Sequence, residues 1–183
     1  RMILLMGKSG SGKDTVIELL KQHGFRKIVA YTTRPQRDGE VDRETYHFCW
    51  GSEFGSLREN NHFIVTETYL TNEDIWEYGV AKDDVLGADS RTILVLNPKT
   101  GKKLVAEHPE LDIKSIYLYC PERVLEKRLL ARGDNAEEAL RRLTQDDKDF
   151  KNVEKWVDVE IYNSSTNPEV AVNSIIRYLE VNE

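Results

Sequence analysis

Met2-Ile3-Leu4-Leu5-Met6-Gly7-Lys8-Ser9-Gly10-Ser11-Gly12-Lys13 is the stretch on which the reading of this fold turns. Ile3 to Met6 is a short, unbroken apolar run, the pattern of a strand buried on both faces. Gly7-x-x-x-x-Gly12-Lys13 then has the spacing of a phosphate loop. Its glycines let the backbone curl so that successive N–H groups point inward at phosphate oxygens. Val16, Leu19 and Leu20 recur at helical spacing, and His23-Gly24 supplies the stop. The helix brings its positive N-terminal end to the loop, and Lys13 adds a point charge for β- and γ-phosphates. A glycine-rich turn without a ligand is the bland alternative. Strand, loop, lysine and helix in this order argue against it. One position departs from the pattern: a hydroxyl that holds magnesium belongs after the lysine, and here Asp14 stands there, followed by Thr15. Mg²⁺ is therefore expected on Asp14, directly or through water, or on Thr15.

Working outward, Lys27 to Tyr31 reads as a second strand. Thr92-Ile93-Leu94-Val95-Leu96, Ser115-Ile116-Tyr117-Leu118-Tyr119 and Val157 to Tyr162 read as three more. Helical periodicity covers 122–131, 137–153 and 167–181, the first two parted by Gly133-Asp134-Asn135. Strands alternating with helices predict an α/β fold of three layers, with a mainly parallel five-stranded sheet covered on both sides. Residues 32–82 do not fit that alternation. They hold a polar, turn-rich stretch with three arginines, then Tyr46-His47-Phe48, a short helix near 52–59, and His62-Phe63-Ile64-Val65. That segment reads as an insertion.

With 183 residues the chain suits one domain, and a chain of this size buries roughly 70% of its unfolded surface without staples. The composition, 39% hydrophobic and 32% charged, is that of an ordinary soluble protein. A net charge of −6 argues against broad nucleic-acid binding, while local arginines still allow a small anionic substrate. Cys49 and Cys120 show no metal or redox spacing, so a reduced, cytoplasmic protein is expected. No apolar run approaches the ~20 residues of a membrane span, and Met2 to Met6 is too short for a signal h-region. His23, His47, His62 and His108 lack ligand spacing. Asp146, Asp147 and Asp149 read as a polar helix face, and Trp50, Trp76 and Trp156 as packing residues, with Trp76 near enough to Tyr78 to line an acceptor pocket.

The second informative segment is Thr32-Thr33-Arg34-Pro35-Gln36-Arg37-Asp38-Gly39-Glu40-Val41, followed by Tyr46. Arg34 and Arg37 have the planar forks that suit a dianionic phosphate, and Tyr46 offers a hydroxyl. The alternative is a solvated loop whose arginines pair with Asp38, Glu40, Asp42 and Glu44. Here the chain resembles the guanylate kinases, in the phosphate loop, this segment, Tyr78-Gly79, the arginine-leucine pieces at 128–143 and the late strand ending at Asn163. The resemblance covers nearly the whole chain. It implies an ATP-dependent kinase of a nucleoside 5′-monophosphate, with GMP or dGMP first.

The same resemblance gives Arg34, Arg37 and Tyr46 the acceptor's phosphate and puts Tyr78 and Gly79 in the acceptor site. It assigns Gly7 through Thr15 to ATP and sets Asn163 beside the donor adenine. Arg128 and Arg132, four residues apart on one helical face, and Arg142 on the next helix become the lid arginines that act with Lys13 on the phosphates in flight. The bland reading of these arginines is a charged outer face paired with Glu126, Glu137 and Glu138, which is preferred for Arg123, Lys127 and Arg141. A core of 1–31, 83–132 and 150–183 would carry a monophosphate-binding insertion at 32–82 and a lid at about 133–149. Base reading departs from the family pattern at Ala30, Val65, Val80 and Leu96, and the stretch from Phe63 to Tyr78 is longer. Glu67, two positions beyond Val65 and so on the same face of a strand, is the candidate replacement. The partners implied are small nucleotides, with no nucleic acid or membrane. A ribose-phosphate kinase, suggested by Gly12-Lys13-Asp14, and a non-catalytic binding module of the same shape are the two rivals.

Overall fold

The apolar run at the start of the chain becomes the centre of a sheet, because strands flanked on both sides must be apolar throughout. In the computed structural model, which describes residues 1–70, 74–133 and 135–182, the elements run in the order β1 (Met2–Met6), α1 (Lys13–Gln22), β2 (Arg26–Lys27), β3 (Tyr31–Thr32), β4 (His47–Phe48), α2 (Gly51–Glu59), β5 (Phe63–Leu70), β6 (Ile75–Ala81), α3 (Lys82–Leu86), β7 (Thr92–Val95), α4 (Pro98–Glu107), β8 (Ile113–Tyr119), α5 (Glu122–Ala131), α6 (Ala136–Asp149), β9 (Val159–Tyr162) and α7 (Glu169–Val181). Asp134, between α5 and α6, lies outside the described residues. Two compact units result, Arg1–Lys27 with Ser90–Glu183, and Ile28–Asp89.

The first unit holds a parallel five-stranded sheet in the order β2-β7-β1-β8-β9, the architecture expected from the sequence. Every residue of β1 is buried. Ile3, Leu5, Ile93, Ile116, Leu118 and Ile161 pack against Val16, Ile17 and Leu20 of α1 and Ala171, Val172 and Ile175 of α7. Leu4 and Met6, which alternate to the opposite face, meet α4 at Gly101, where an added Cβ would lie 2.9 Å from Leu4 Cδ2. Helices thus cover both faces. A smaller cluster of Cys120, Leu125, Leu129, Ala139 and Leu143 joins α5 to α6.

The second unit holds a four-stranded sheet in the order β4-β3-β6-β5, with β5 and β6 antiparallel. The single strand expected over Lys27 to Tyr31 is divided. Lys27 pairs with Ile93 in the first sheet, and Tyr31 pairs with His47 and Gly79 in the second. A run of strand-forming residues cannot say which sheet will take it. The helix expected over 137–153 ends at Asp149, and Asn152 takes a positive φ of 64° before a short 3₁₀ turn at Val153–Lys155. Periodicity gave no sign of α4. Its cap was readable nonetheless, since Asn97 accepts a hydrogen bond from the Thr100 N–H at 2.9 Å and Pro98 starts the helix.

Candidate active site

Between β1 and α1 the chain makes the expected curl. Gly10 and Gly12 sit at φ of 78° and 88°, a region that side-chain-bearing residues rarely enter. The Ser11 N–H donates to Lys8 O at 3.0 Å and closes the turn. Gly12 serves as the N-cap of α1 and no side chain caps the helix, so its first N–H groups face the loop as they do in anion sites. Lys13 turns its ammonium back onto Gly7 O and onto Lys8 O at 3.2 Å. Burial pushes this ammonium below its usual range. Asp14 and Asp146 oppose that shift, and the charge of Arg132 adds to it. Asp14 and Thr15 are exposed on the first turn of α1.

Asn163, expected beside a donor base, is 3% exposed and donates from Nδ2 to Ser11 O at 2.7 Å. It lies against the phosphate loop: a Cβ on Gly12 would stand 2.6 Å from that same nitrogen. Asn163 Oδ1 and Ser11 Oγ are both buried without a hydrogen-bond partner. Arg128 is half-buried and likewise braces the loop. Its guanidinium donates to Ser165 O at 3.0 Å and lies 3.4 Å from Gly10 O and Ser11 O. Arg132 is exposed at the end of α5. Arg142 is half-buried on α6, with Nε donating to Glu138 Oε1 at 2.7 Å. Arg141 also grips Glu138, and these two guanidinium partners hold the Glu138 carboxyl down at about 2.

Sequence reasoning missed the groups that meet the loop from α6. Asp146 Oδ2 accepts from the Ser9 N–H at 2.5 Å, and Asp147 takes the Lys8 ammonium. The signal was present in the spacing. Ala139, Leu143, Asp146 and Phe150 recur every three or four residues, and the other three are buried. A carboxylate in an inward-facing stripe needs a donor there.

In the second unit Arg34 is 5% exposed. Its Nη1 and Nη2 fork onto Glu40 at 3.0 and 2.7 Å, Nη1 also reaches Pro35 O at 2.7 Å, and Nε meets the Tyr78 hydroxyl at 3.2 Å. Of five guanidinium N–H groups, one on Nη2 is left over. The ion pair read from sequence as the bland alternative is therefore made at Arg34. Glu40 in turn accepts the Arg37 backbone N–H at 2.8 Å, and Arg34 first and this N–H second hold its carboxyl below the usual range. Arg37 is exposed. The Tyr46 ring lies 5.4 Å from Arg34 Cζ and 5.8 Å from the Tyr78 ring.

Gly79 allows the Phe63 ring to approach, since a Cβ there would meet it at 2.8 Å. Glu67, half-buried, pairs across the ribbon with Tyr78, and Tyr69 with Trp76. Val65 and Val80 face each other in register and are 6% and 2% exposed. Ala30 is half-buried and accepts the His47 N–H at 2.9 Å. The departures from the family's base readers are thus packing or backbone positions at Ala30, Val65 and Val80. Among the described residues no cluster of three His, Cys, Asp or Glu is placed to hold a metal, and no helix is long and apolar enough to cross a membrane.

Comparison with known proteins shows the family to which the chain belongs. A family model described as guanylate kinase matches residues 1–180. A guanylate kinase of Nostoc sp. is 31% identical over 169 residues, which covers 89% of this chain and 82% of the relative. A guanylate kinase of Thermobifida fusca is 29% identical over 171 residues, covering 90% and 84%. The crystal structure of a guanylate kinase from Anaplasma phagocytophilum superposes over 99% of this chain and 85% of its own, with a TM-score of 0.69 and 24% identity. At that identity the likeness speaks for the fold.

Proposed function

Because the chain belongs to the guanylate kinase family, we propose that it transfers the γ-phosphoryl group of ATP to the 5′-phosphate of GMP, giving ADP and GDP. The chemistry asks for positioning and charge stabilisation more than for bond-making groups. The acceptor oxygen is already ionised, so no general base is needed. The observation that carries this reading is the phosphate loop itself, with left-handed glycines, an uncapped helix start and a half-buried lysine turned back onto the loop carbonyls.

In this reading Gly7 to Thr15 hold the donor's phosphates and Lys13 faces the transferring group. Arg132, just before a lid at about 133–149, and Arg142, within it on α6, close over it. Arg128 and Asn163 hold the loop in shape from outside. Arg37, Tyr46 and the remaining N–H of Arg34 take the acceptor phosphate, while Glu40 keeps the two arginines in place. Glu67, with Tyr78 and Gly79 beside it, faces the base. The packed valines at the reader positions favour a relaxed choice of base, with GMP or dGMP first, since apolar contacts discriminate weakly.

Magnesium fits Asp14 or Thr15, because this ion commonly takes one or two protein oxygens and completes its shell with phosphate and water. It would neutralise charge on the β- and γ-oxygens. A soluble protein acting on small nucleotides in the cytoplasm is the setting this implies. The family match does not favour the ribose-phosphate or non-catalytic readings.

Incubation with MgATP and a panel of ribo- and deoxynucleoside monophosphates, following ADP release, tests the proposal. GMP is expected to head the panel, and no turnover with any monophosphate would overturn it. Lys13→Ala should lower kcat by about 10²-fold or more if the lysine stabilises charge in transfer.

A further inference from the structure

The contacts that α6 makes with the phosphate loop point beyond the ordinary kinase cycle. Ser9 N–H belongs to the curl whose amides form an anion nest, and Asp146 Oδ2 already accepts it at 2.5 Å. Lys8, a cation of the same loop, is taken by Asp147. The two partners of the Ser9 bond are 137 residues apart in the chain, so tertiary packing alone brings them together. That packing is firm. Leu143 is 4% exposed, and Phe150 is 8% exposed with its ring 5.4 Å from that of Tyr117. Asp146, one turn from each along α6, is thereby aimed at the loop. Its charge also reaches Lys13, where it offsets part of the effect of burial.

We propose that Asp146 and Asp147 are internal competitors for the donor's phosphates and so set the affinity of the loop for its nucleotide. The inference rests on the reading of Gly7 to Thr15 as the donor site. A polyphosphate and these carboxylates seek the same amide and the same ammonium, and like charges cannot share them at contact distance. Donor binding must displace the carboxylates, and the apparent affinity falls by the fraction of molecules in which the loop is already occupied. The same contacts neutralise Lys8 and order the loop while no nucleotide is present. α6 also carries Arg142, held by Glu138, so release of Asp146 and Asp147 loosens the helix that brings this arginine to the phosphates.

The test compares wild type, Asp146→Ala/Asp147→Ala and Asp149→Ala for calorimetric binding of inorganic tripolyphosphate and for KM with MgATP and GMP. Alanine is the strongest helix former, so neither variant should lower the helix propensity of α6. Asp149 accepts from Gln145 Nε2 at 2.9 Å and serves as the control for an acidic residue lost away from the loop. A charge-assisted hydrogen bond removed from the competing state should tighten tripolyphosphate binding roughly 10-fold in the double variant. KM for MgATP should fall in parallel, with KM for GMP unchanged. Asp146→Asn, which keeps the size of the side chain, should shift binding in the same direction. Unchanged or weaker binding in the double variant would overturn the proposal, as would an equal gain in Asp149→Ala. Absence of tripolyphosphate binding in all of these proteins would instead remove the donor-site reading, and this proposal with it.

Discussion

At the scale of single residues, two glycines show how close packing constrains identity. Gly12 combines a φ of 88° with an approach of 2.6 Å between its missing Cβ and Asn163 Nδ2, so both conformation and space exclude a side chain. At Gly79 the constraint is space alone, from the Phe63 ring at 2.8 to 2.9 Å. Phe63 in turn stacks on the fully buried Phe54, with centroids 4.6 Å apart, so it has little room to retreat. Gly79→Ala should therefore destabilise by about 1–3 kcal/mol, the usual cost of overpacking. Urea unfolding of the variant would measure it, and a midpoint equal to wild type would contradict the geometry. Arg34 teaches a related lesson. Its pattern with Arg37 was legible, but which donors it keeps for a substrate depended on Glu40 and on Tyr78, 44 residues away.

At the scale of elements, α6 carries the most chemistry. Asn135 caps its start by accepting the Glu138 N–H at 2.8 Å, and Glu138 then gathers Arg141 and Arg142. Those hydrogen bonds hold the carboxyl at about 2, below its ordinary 4.5. A depressed carboxyl contributes stability that is fully present above the ordinary value and is lost as pH falls through the folded one. Wild type should thus exceed Glu138→Gln by about 1 kcal/mol at neutral pH, a modest figure because the cluster is partly solvated. The gap should hold down to about pH 5 and close between there and pH 2. Thermal melts of both proteins across that range would show it, and a gap independent of pH would exclude the ion pair as its source. The stripe of Ala139, Leu143, Asp146 and Phe150 was readable as a helix face. Its acidic member looked like solvated surface because periodicity reports which residues share a face and not what the face meets.

At the scale of the whole molecule, ligand linkage gives the broadest check. A nucleotide at about 100 times its dissociation constant stabilises the folded state by about 2.7 kcal/mol. For a chain of this length that corresponds to a rise in Tm of roughly 5–11 °C. MgATP should produce a shift of this order, and Lys13→Ala should lose most of it. No shift in wild type at saturating MgATP would count against the loop as a donor site. The strand, curl and helix from Met2 to Gln22 were written in the sequence, as was the parallel character of the five-stranded sheet. Apolar runs, glycine conformation and helix stops act within a few residues, so no distant partner is needed to read them. Tertiary structure alone decided that the chain leaves its first sheet after Lys27 and joins a second at Tyr31. It also decided that Asn163 lies against Ser11, 152 residues away, and that Asp146 faces the loop. A side chain's partner is fixed by how packed elements meet, and that depends on contacts between segments whose separation along the chain leaves no local trace.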